Sequence, residues 1–133
     1  MLEGSCLCGA VRYQIEGELG QIVCCHCTMC RKAQGSAFAT NAPVPADRFR
    51  IVQGEGALRS YRSSARKERL FCGTCGSPIF SRREGSQDVR VRIGTLDTRI
   101  SARPSAHIHV ASKAEWWELR DDLPRHPKFE PGR

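Results

Sequence analysis

Apolar and polar positions alternate with period two along much of this chain. Val11-Arg12-Tyr13-Gln14-Ile15 and Val89-Arg90-Val91-Arg92-Ile93 alternate strictly, and Phe49-Arg50-Ile51 and Leu70-Phe71-Cys72 are shorter runs of strand character. Such alternation predicts half-buried antiparallel strands. Glycines and prolines punctuate the intervals, from Gly17 and Gly20 through Pro43, Pro45 and Gly54 to Gly85 and Gly94. No repeat and no low-complexity tract interrupts the pattern. The expectation is an all-β domain of short antiparallel strands, sandwich-like or a folded meander, with little helix. Thr28 to Gln34 predicts one or two helical turns ended by Gly35. Ser112 to Leu119 is a second short helical candidate. Pro124 to Arg133 has three prolines and little to bury, so residues 1–123 read as the domain and 124–133 as an exposed tail.

Composition narrows the class. With 133 residues, 40% apolar and 26% charged, the chain suits one globular domain with a modest core. No apolar stretch approaches the ~20 residues needed to cross a bilayer. The first residues, Met1-Leu2-Glu3-Gly4, show neither a basic nor an apolar signal region, so the expected location is cytoplasmic. Eight cysteines would be a disulfide framework in a secreted protein; in a reduced compartment, Cys-x-Cys and Cys-x-x-Cys pairs are chelate spacing. The formal charge of +7 falls to about +4 once seven thiolates and two Zn²⁺ are counted. A mildly basic surface suits a small anionic substrate or a nucleic acid.

The cysteines form three clusters. In Gly4-Ser5-Cys6-Leu7-Cys8-Gly9, residues two apart share a strand face, so Cys6 and Cys8 can address one ion. In Cys24-Cys25-His26-Cys27-Thr28-Met29-Cys30, a strand turning into a helix start can aim Cys25, Cys27 and Cys30 at one ion, where a helix N-terminus favours thiolates. Phe71-Cys72-Gly73-Thr74-Cys75-Gly76 forms a tight knuckle and is the strongest local metal signal. Spacing leaves two partitions open. Cys6, Cys8, Cys72 and Cys75 can close a four-thiolate site across more than sixty residues, leaving Cys25, Cys27 and Cys30 as a three-ligand site with an open position. Alternatively Cys27 and Cys30 join Cys72 and Cys75 as a ribbon, although the 41 residues between those pairs exceed the usual ~15–20.

Taken together, Gly-Ser-Cys-Leu-Cys-Gly-Ala-Val, Cys-His-Cys-Thr-Met-Cys-Arg-Lys and Phe-Cys-Gly-Thr-Cys-Gly-Ser-Pro-Ile resemble the glutathione-dependent formaldehyde-activating enzyme family, or CENP-V/GFA domain. The likeness runs from about Gly4 to Leu123. It extends through Arg103-Pro104-Ser105-Ala106-His107-Ile108-His109-Val110, Trp116-Trp117-Glu118 and Asp122-Leu123-Pro124. The resemblance implies an Mss4-like β fold and a structural zinc on Cys6, Cys8, Cys72 and Cys75. It implies a second, more labile zinc on Cys25, Cys27 and Cys30. The activity implied is condensation of formaldehyde with glutathione, a carbon–sulfur lyase reaction with glutathione as co-substrate. A three-thiolate zinc is a soft, weak Lewis acid that suits an incoming sulfur.

Other residues carry expectations of their own. Cys24 should point away from Cys25 as a buried bystander, and His26 should face away from the ligands as a surface or supporting residue. His107 and His109 should share one strand face, as structural histidines or as a proton relay. Trp116 and Trp117 read as core and rim aromatics, with a pocket wall as the sharper option. Arg31 and Lys32 could hold an anionic substrate or form a solvated face. The run from Arg62 to Arg69 reads as a solvated hairpin, and Arg90 with Arg92 as an exposed strand face. Two functions compete: a zinc enzyme acting on a small thiol–aldehyde adduct, and a non-enzymatic zinc module binding nucleic acid or protein through a basic face. The arginines lack interleaved aromatics, which speaks against a nucleic-acid platform. An empty Cys25/Cys27/Cys30 site in a structural or regulatory protein is a third reading. Exposed edge strands leave homodimerisation open.

Overall fold

The computed structural model describes residues 1–133 and is mostly β. Ten strands form two sheets. The smaller sheet has the order β1 (Leu2–Ser5), β2 (Arg12–Ile15) and β5 (Phe49–Gln53), all antiparallel. The larger contains β3 (Val23–Cys25), β4 (Ala39–Pro45), β6 (Leu58–Ser64), β7 (Lys67–Cys72), β8 (Pro78–Arg83), β9 (Asp88–Arg92) and β10 (Ala106–Ile108). Its order is β10-β3-β4-β9-β8-β7-β6, and only the β10–β3 pair is parallel.

The predicted alternation places the main core. Tyr13 and Ile15 of β2 point inward, as do Val89 and Val91 of β9. They meet Val11, Val44, Leu70, Ile79 and Phe80 between the sheets, together with the sulfur-bearing Cys6 and Cys72. Burial of these apolar faces is the main stabilising contribution, at roughly 25 cal/mol per Å². A smaller core gathers Val23, Cys25, Cys30, Ala39, Ala106 and Ile108. The three-cysteine segment is therefore anchored in its own apolar nucleus.

One glycine fixes the loop that carries Cys6 and Cys8. Gly54 has φ +80°, and a Cβ there would lie 1.9 Å from the Ala10 carbonyl oxygen. Backbone cannot yield as a flexible side chain would. Gly54→Ala is expected to cost about 3 kcal/mol, combining left-handed strain with overpacking. A thermal melt should show a Tm lower by roughly 10 °C; an unchanged melt would show that this contact is not tight.

The one α-helix, α1 (Thr28–Gln34), occupies the predicted span and ends at Gly35 in the left-handed conformation, φ 60°. The second helical candidate does not form. After Ile108 the chain makes a left-handed step at His109, φ 55°, and a single 3-10 turn over Val110–Ser112. Lys113 then turns extended, and its ammonium caps the carbonyls of Ala114 and Trp117. The chain must return here to pair with β10, which a helix through Leu119 would prevent.

Residues 124–133 are exposed along much of their length and are tied to the rest of the fold. The His107 N–H donates to the Pro124 carbonyl, the His126 N–H to the His107 carbonyl, and the His109 N–H to the Lys128 carbonyl, at 2.8–2.9 Å. Phe129 packs edge-on against His109 with ring centroids 4.7 Å apart. Glu130 pairs with Arg133 at 2.6 Å and Arg90 at 3.6 Å. The missed signal is Phe129 itself, an aromatic residue among the prolines. No helix of the fold is long and apolar enough to cross a membrane.

Candidate metal centres

Seven of the eight cysteine sulfurs converge in two groups. Those of Cys6, Cys8, Cys72 and Cys75 lie within 4.8 Å of one another, and so do those of Cys25, Cys27 and Cys30. This is the first of the two partitions left open by spacing; the ribbon pairing of Cys27 and Cys30 with Cys72 and Cys75 does not occur. The Cys6–Cys8 and Cys8–Cys72 sulfur separations are 3.7 and 3.8 Å. A disulfide would require about 2.05 Å. Sulfurs at the corners of a zinc tetrahedron with ~2.3 Å bonds lie about 3.8 Å apart, so the donor set fits a tetrahedral ion.

The four-sulfur group is framed by backbone donors. The Val11 N–H donates to Cys6 Sγ at 3.2 Å. The N–H groups of Cys75 and Thr74 hold the Cys72 thiol below its usual value. The Ser77 hydroxyl, followed by the Ser77 and Cys8 N–H groups, brings Cys75 down to about 5. Burial and the neighbouring sulfurs push Cys8 of the same group up to about 11, so a bound cation would have to displace its proton, as metal binding to thiols does. The group joins the loop after β1 to the turn after β7, and so ties the two sheets together.

The three-sulfur group forms where β3 turns into α1. Cys25 ends the strand, Cys27 caps the helix, and its sulfur accepts the Cys30 N–H at 3.2 Å. Cys25 and Cys30 are buried and Cys27 is partly exposed. Sulfur contacts from Cys25 and Cys27, then the charges of Lys67 and Arg69, hold the Cys30 thiol far below its ordinary value. Sulfur contacts and burial push Cys25 up, so the sulfurs share protons as one unit. The group opens into a cavity of about 250 Å³ whose wall also includes Met29, Lys67, Arg83, Arg90, His109, Phe129 and Arg133. Lys67, Arg83, Arg90 and Arg133 also line an adjoining polar groove of about 600 Å³. Burial brings Lys67 down to about 8 and Arg90 to about 10, while Glu130, which also lines the groove, pairs with Arg90 and Arg133.

The cations here are not those singled out from the sequence. Arg31 and Lys32 fall in the last turn of α1 and do not line the cavity. Arg62 and Arg66 are solvated as expected, but Lys67 and Arg69 of the same hairpin turn inward, and Arg69 Nη2 lies 3.7 Å from Cys30 Sγ. Arg92 is only 4% exposed, so Arg90 and Arg92 are not an outward strand face. The face of the sheet that carries them is covered here by α1 and by the C-terminal segment, which period-two alternation alone does not reveal.

Cys24 is buried and outside both sulfur groups, as expected. His26 also stays out of the ligand set, yet it is fully buried and not at the surface. Its Nε2 lies 2.8 Å from His107 Nδ1, and His107 Nε2 lies 2.9 Å from the Asp121 carboxylate. Burial, then the His107 charge, brings His26 down to about 4, which keeps it neutral at neutral pH. His107 and His109 do not share a face. The left-handed step at His109 turns its ring toward the three-sulfur cavity, while His107 faces a separate groove. Trp116 and Trp117 wall that groove with Phe38 and are 63% and 41% exposed, so neither is a core residue.

A mostly β chain with two cysteine groups able to hold metal ions defines a small class of proteins. The chain belongs to the glutathione-dependent formaldehyde-activating enzyme family, whose model matches residues 1–112. A protein of Halomonas elongata, provisionally named as such an enzyme, is 30% identical over 129 residues, covering 90% of this chain and 81% of its own. An uncharacterised lyase of Schizosaccharomyces pombe is 32% identical over 82 residues, covering 59% of this chain and 55% of its own. A crystal structure of a Rhodobacter sphaeroides protein shares the fold with a TM-score of 0.63 at 26% identity, covering 74% of this chain and 91% of that one. The match to the family model ends before Phe129 and Arg133, which line the cavity of Cys25, Cys27 and Cys30.

Proposed function

We propose that the chain is a zinc-dependent carbon–sulfur lyase acting on a small anionic thiol–aldehyde adduct, with S-hydroxymethylglutathione as the first candidate. One observation carries the reading: three converging sulfurs, with no fourth protein ligand beside them, face a cavity ringed by four cations. Cys6, Cys8, Cys72 and Cys75 would hold a structural zinc, and Cys25, Cys27 and Cys30 a second, more labile one. The second ion would supply a soft Lewis-acid position for an incoming sulfur.

The protein's own groups divide the remaining work. Lys67 and Arg83, the cavity cations without a carboxylate partner, bind the carboxylates of the thiol and orient its sulfur toward the cysteines, beside Arg90 and Arg133, which Glu130 holds. Phe129 and Met29 supply the apolar part of the cavity wall. His109 is the one imidazole in the cavity wall, and burial lowers its pKa, so it is neutral and able to accept a proton at neutral pH. In the condensing direction the thiol sulfur forms a bond to the formaldehyde carbon. The thiol proton passes to His109 and from there to the carbonyl oxygen, which becomes the hydroxyl. The lyase direction reverses each step. The rival reading, a basic docking face, gains little, because Arg69 and Arg92 point inward.

The test is exchange-resolved NMR of ¹³C-formaldehyde with glutathione. Catalytic amounts of reduced, zinc-loaded protein should accelerate exchange between free formaldehyde and the adduct. His109→Asn, which suits the left-handed backbone, should lower kcat by roughly 10²-fold or more while leaving KM nearly unchanged. Exchange at the spontaneous rate, with glutathione and with other small anionic thiols, would sink the enzyme reading.

A further inference from the structure

Trp116 and Trp117 are the only tryptophans of the chain, and both stand open to solvent. With Phe38 they line a groove of about 1000 Å³ that shares no lining residue with the cavity of Cys25, Cys27 and Cys30. The Trp117 and Phe38 rings meet edge to face, with centroids 5.9 Å apart. Glu115, Glu118 and Asp121 stand in the same wall, against a single guanidinium, that of Arg120. With histidine neutral, the groove is formally −2 in a chain of net charge +7.

The segment that carries the tryptophans has no helix or strand, but it is pinned. The Lys113 ammonium caps the Ala114 and Trp117 carbonyls. Arg125 Nη2 donates to the Leu119 and Asp121 carbonyls at 3.1 Å, and the Leu123 N–H donates to Asp121 Oδ1 at 3.0 Å. The indoles are therefore held in water by the fold, and an aromatic patch so held marks a place of interaction. The carboxylates beside them keep acceptor capacity. Glu115 has no ion-pair partner. Both bonds from Arg120 go to Glu118 Oε2, which leaves Oε1 open. The Asp121 side chain is still 47% exposed beside His107, whose hydrogen bond holds its carboxyl below the usual range. These carboxylates do not converge as metal ligands; only the two cysteine groups do.

We propose that this groove binds a small, water-soluble organic cation bearing N-methyl groups. The methylated head lies on the indole faces of Trp116 and Trp117, whose π clouds attract a diffuse positive charge. Glu115 and Asp121 supply counter-charge beside it, and the apolar wall takes the body of the ligand. A bare ammonium is compact and strongly hydrated, and gains less from ring faces. A metal ion asks for converging oxygens, which the wall lacks. An anion meets the excess of carboxylates. The site does not rest on the proposed reaction, because its ligand needs no thiol and binding is read without turnover.

The probe is choline, titrated into the full-length, reduced, zinc-loaded protein while the two indole N–H resonances are followed by NMR. Both should shift and saturate, with a Kd on the order of 1 mM, the scale of a few cation–π contacts at a half-exposed site. The neutral carbon isostere, 3,3-dimethylbutan-1-ol, should bind roughly fivefold more weakly or worse. Trp116→Leu changes an exposed residue, so it should fold as the parent does and weaken choline by roughly fivefold or more. Glu115→Gln should weaken it about threefold. Equal binding of the neutral alcohol would reduce the groove to an apolar patch and overturn the proposal. Indole resonances that stay in place would overturn it too, as would resonances that move with protein concentration alone, because a second copy then covers the face. Retention on phosphatidylcholine vesicles with no response to free choline would place the cation on a membrane and overturn the soluble ligand.

Discussion

Cys72→Ser is expected to yield no soluble, cooperatively melting protein. The Cys72 sulfur is fully buried in the main core and belongs to the group whose separations match a zinc tetrahedron. Structural zinc in small domains contributes on the order of 10 kcal/mol or more to folding, and a domain of this size has a total stability of roughly 5–15 kcal/mol. Losing one of four ligands therefore removes most of what keeps the chain folded. Soluble yield and a circular dichroism melt decide the matter. A variant melting cooperatively within a few degrees of the parent would show that the four-sulfur group is not the structural staple we propose.

Cys30→Ser should behave in the opposite way. Its sulfur lies in the smaller core, and the sheets remain joined through the other group. The variant should fold, lose about 1–2 kcal/mol of stability, and hold one zinc where the parent holds two. Formaldehyde–glutathione exchange should fall by roughly 10³-fold or more, since two thiolates hold the second ion poorly. Elemental analysis with native mass spectrometry gives the metal ratio. A parent ratio that stays near one after zinc is supplied would remove the second centre from the proposal. A variant that keeps two ions and full activity would remove Cys30 from it.

The sequence is most legible where local pattern and local structure coincide. The alternation in β2 and β9, the α1 span with Gly35 as its stop, and the chelate spacing of the cysteines all depend on neighbours a few residues away. Which cysteines meet is a long-range question, and the resemblance to a family pointed to the partition that the fold shows. The misread residues share a single cause. Lys67, Arg69, Arg90 and Arg92 look solvated because charged side chains on strands usually are. They turn inward because thiols converge on the covered side of the sheet and because the C-terminal segment lies across it. Likewise, one left-handed residue, His109, sends two histidines of an apparent strand to different cavities.

The span between the two halves of the four-sulfur group also has a temporal side. Cys8 and Cys72 are separated by 64 positions along the chain. At a synthesis rate of ~5–20 residues per second, the first pair waits on the order of 3–13 seconds before its partners exist. During that interval Cys6 and Cys8 form a two-sulfur hook on a nascent chain whose β4–β9 and β7–β8 pairings cannot yet assemble. Such a hook can capture a passing metal weakly but cannot enclose it. The identity of an ion held there would then depend on what the surroundings supply once Cys75 emerges, as well as on the finished group of four sulfurs.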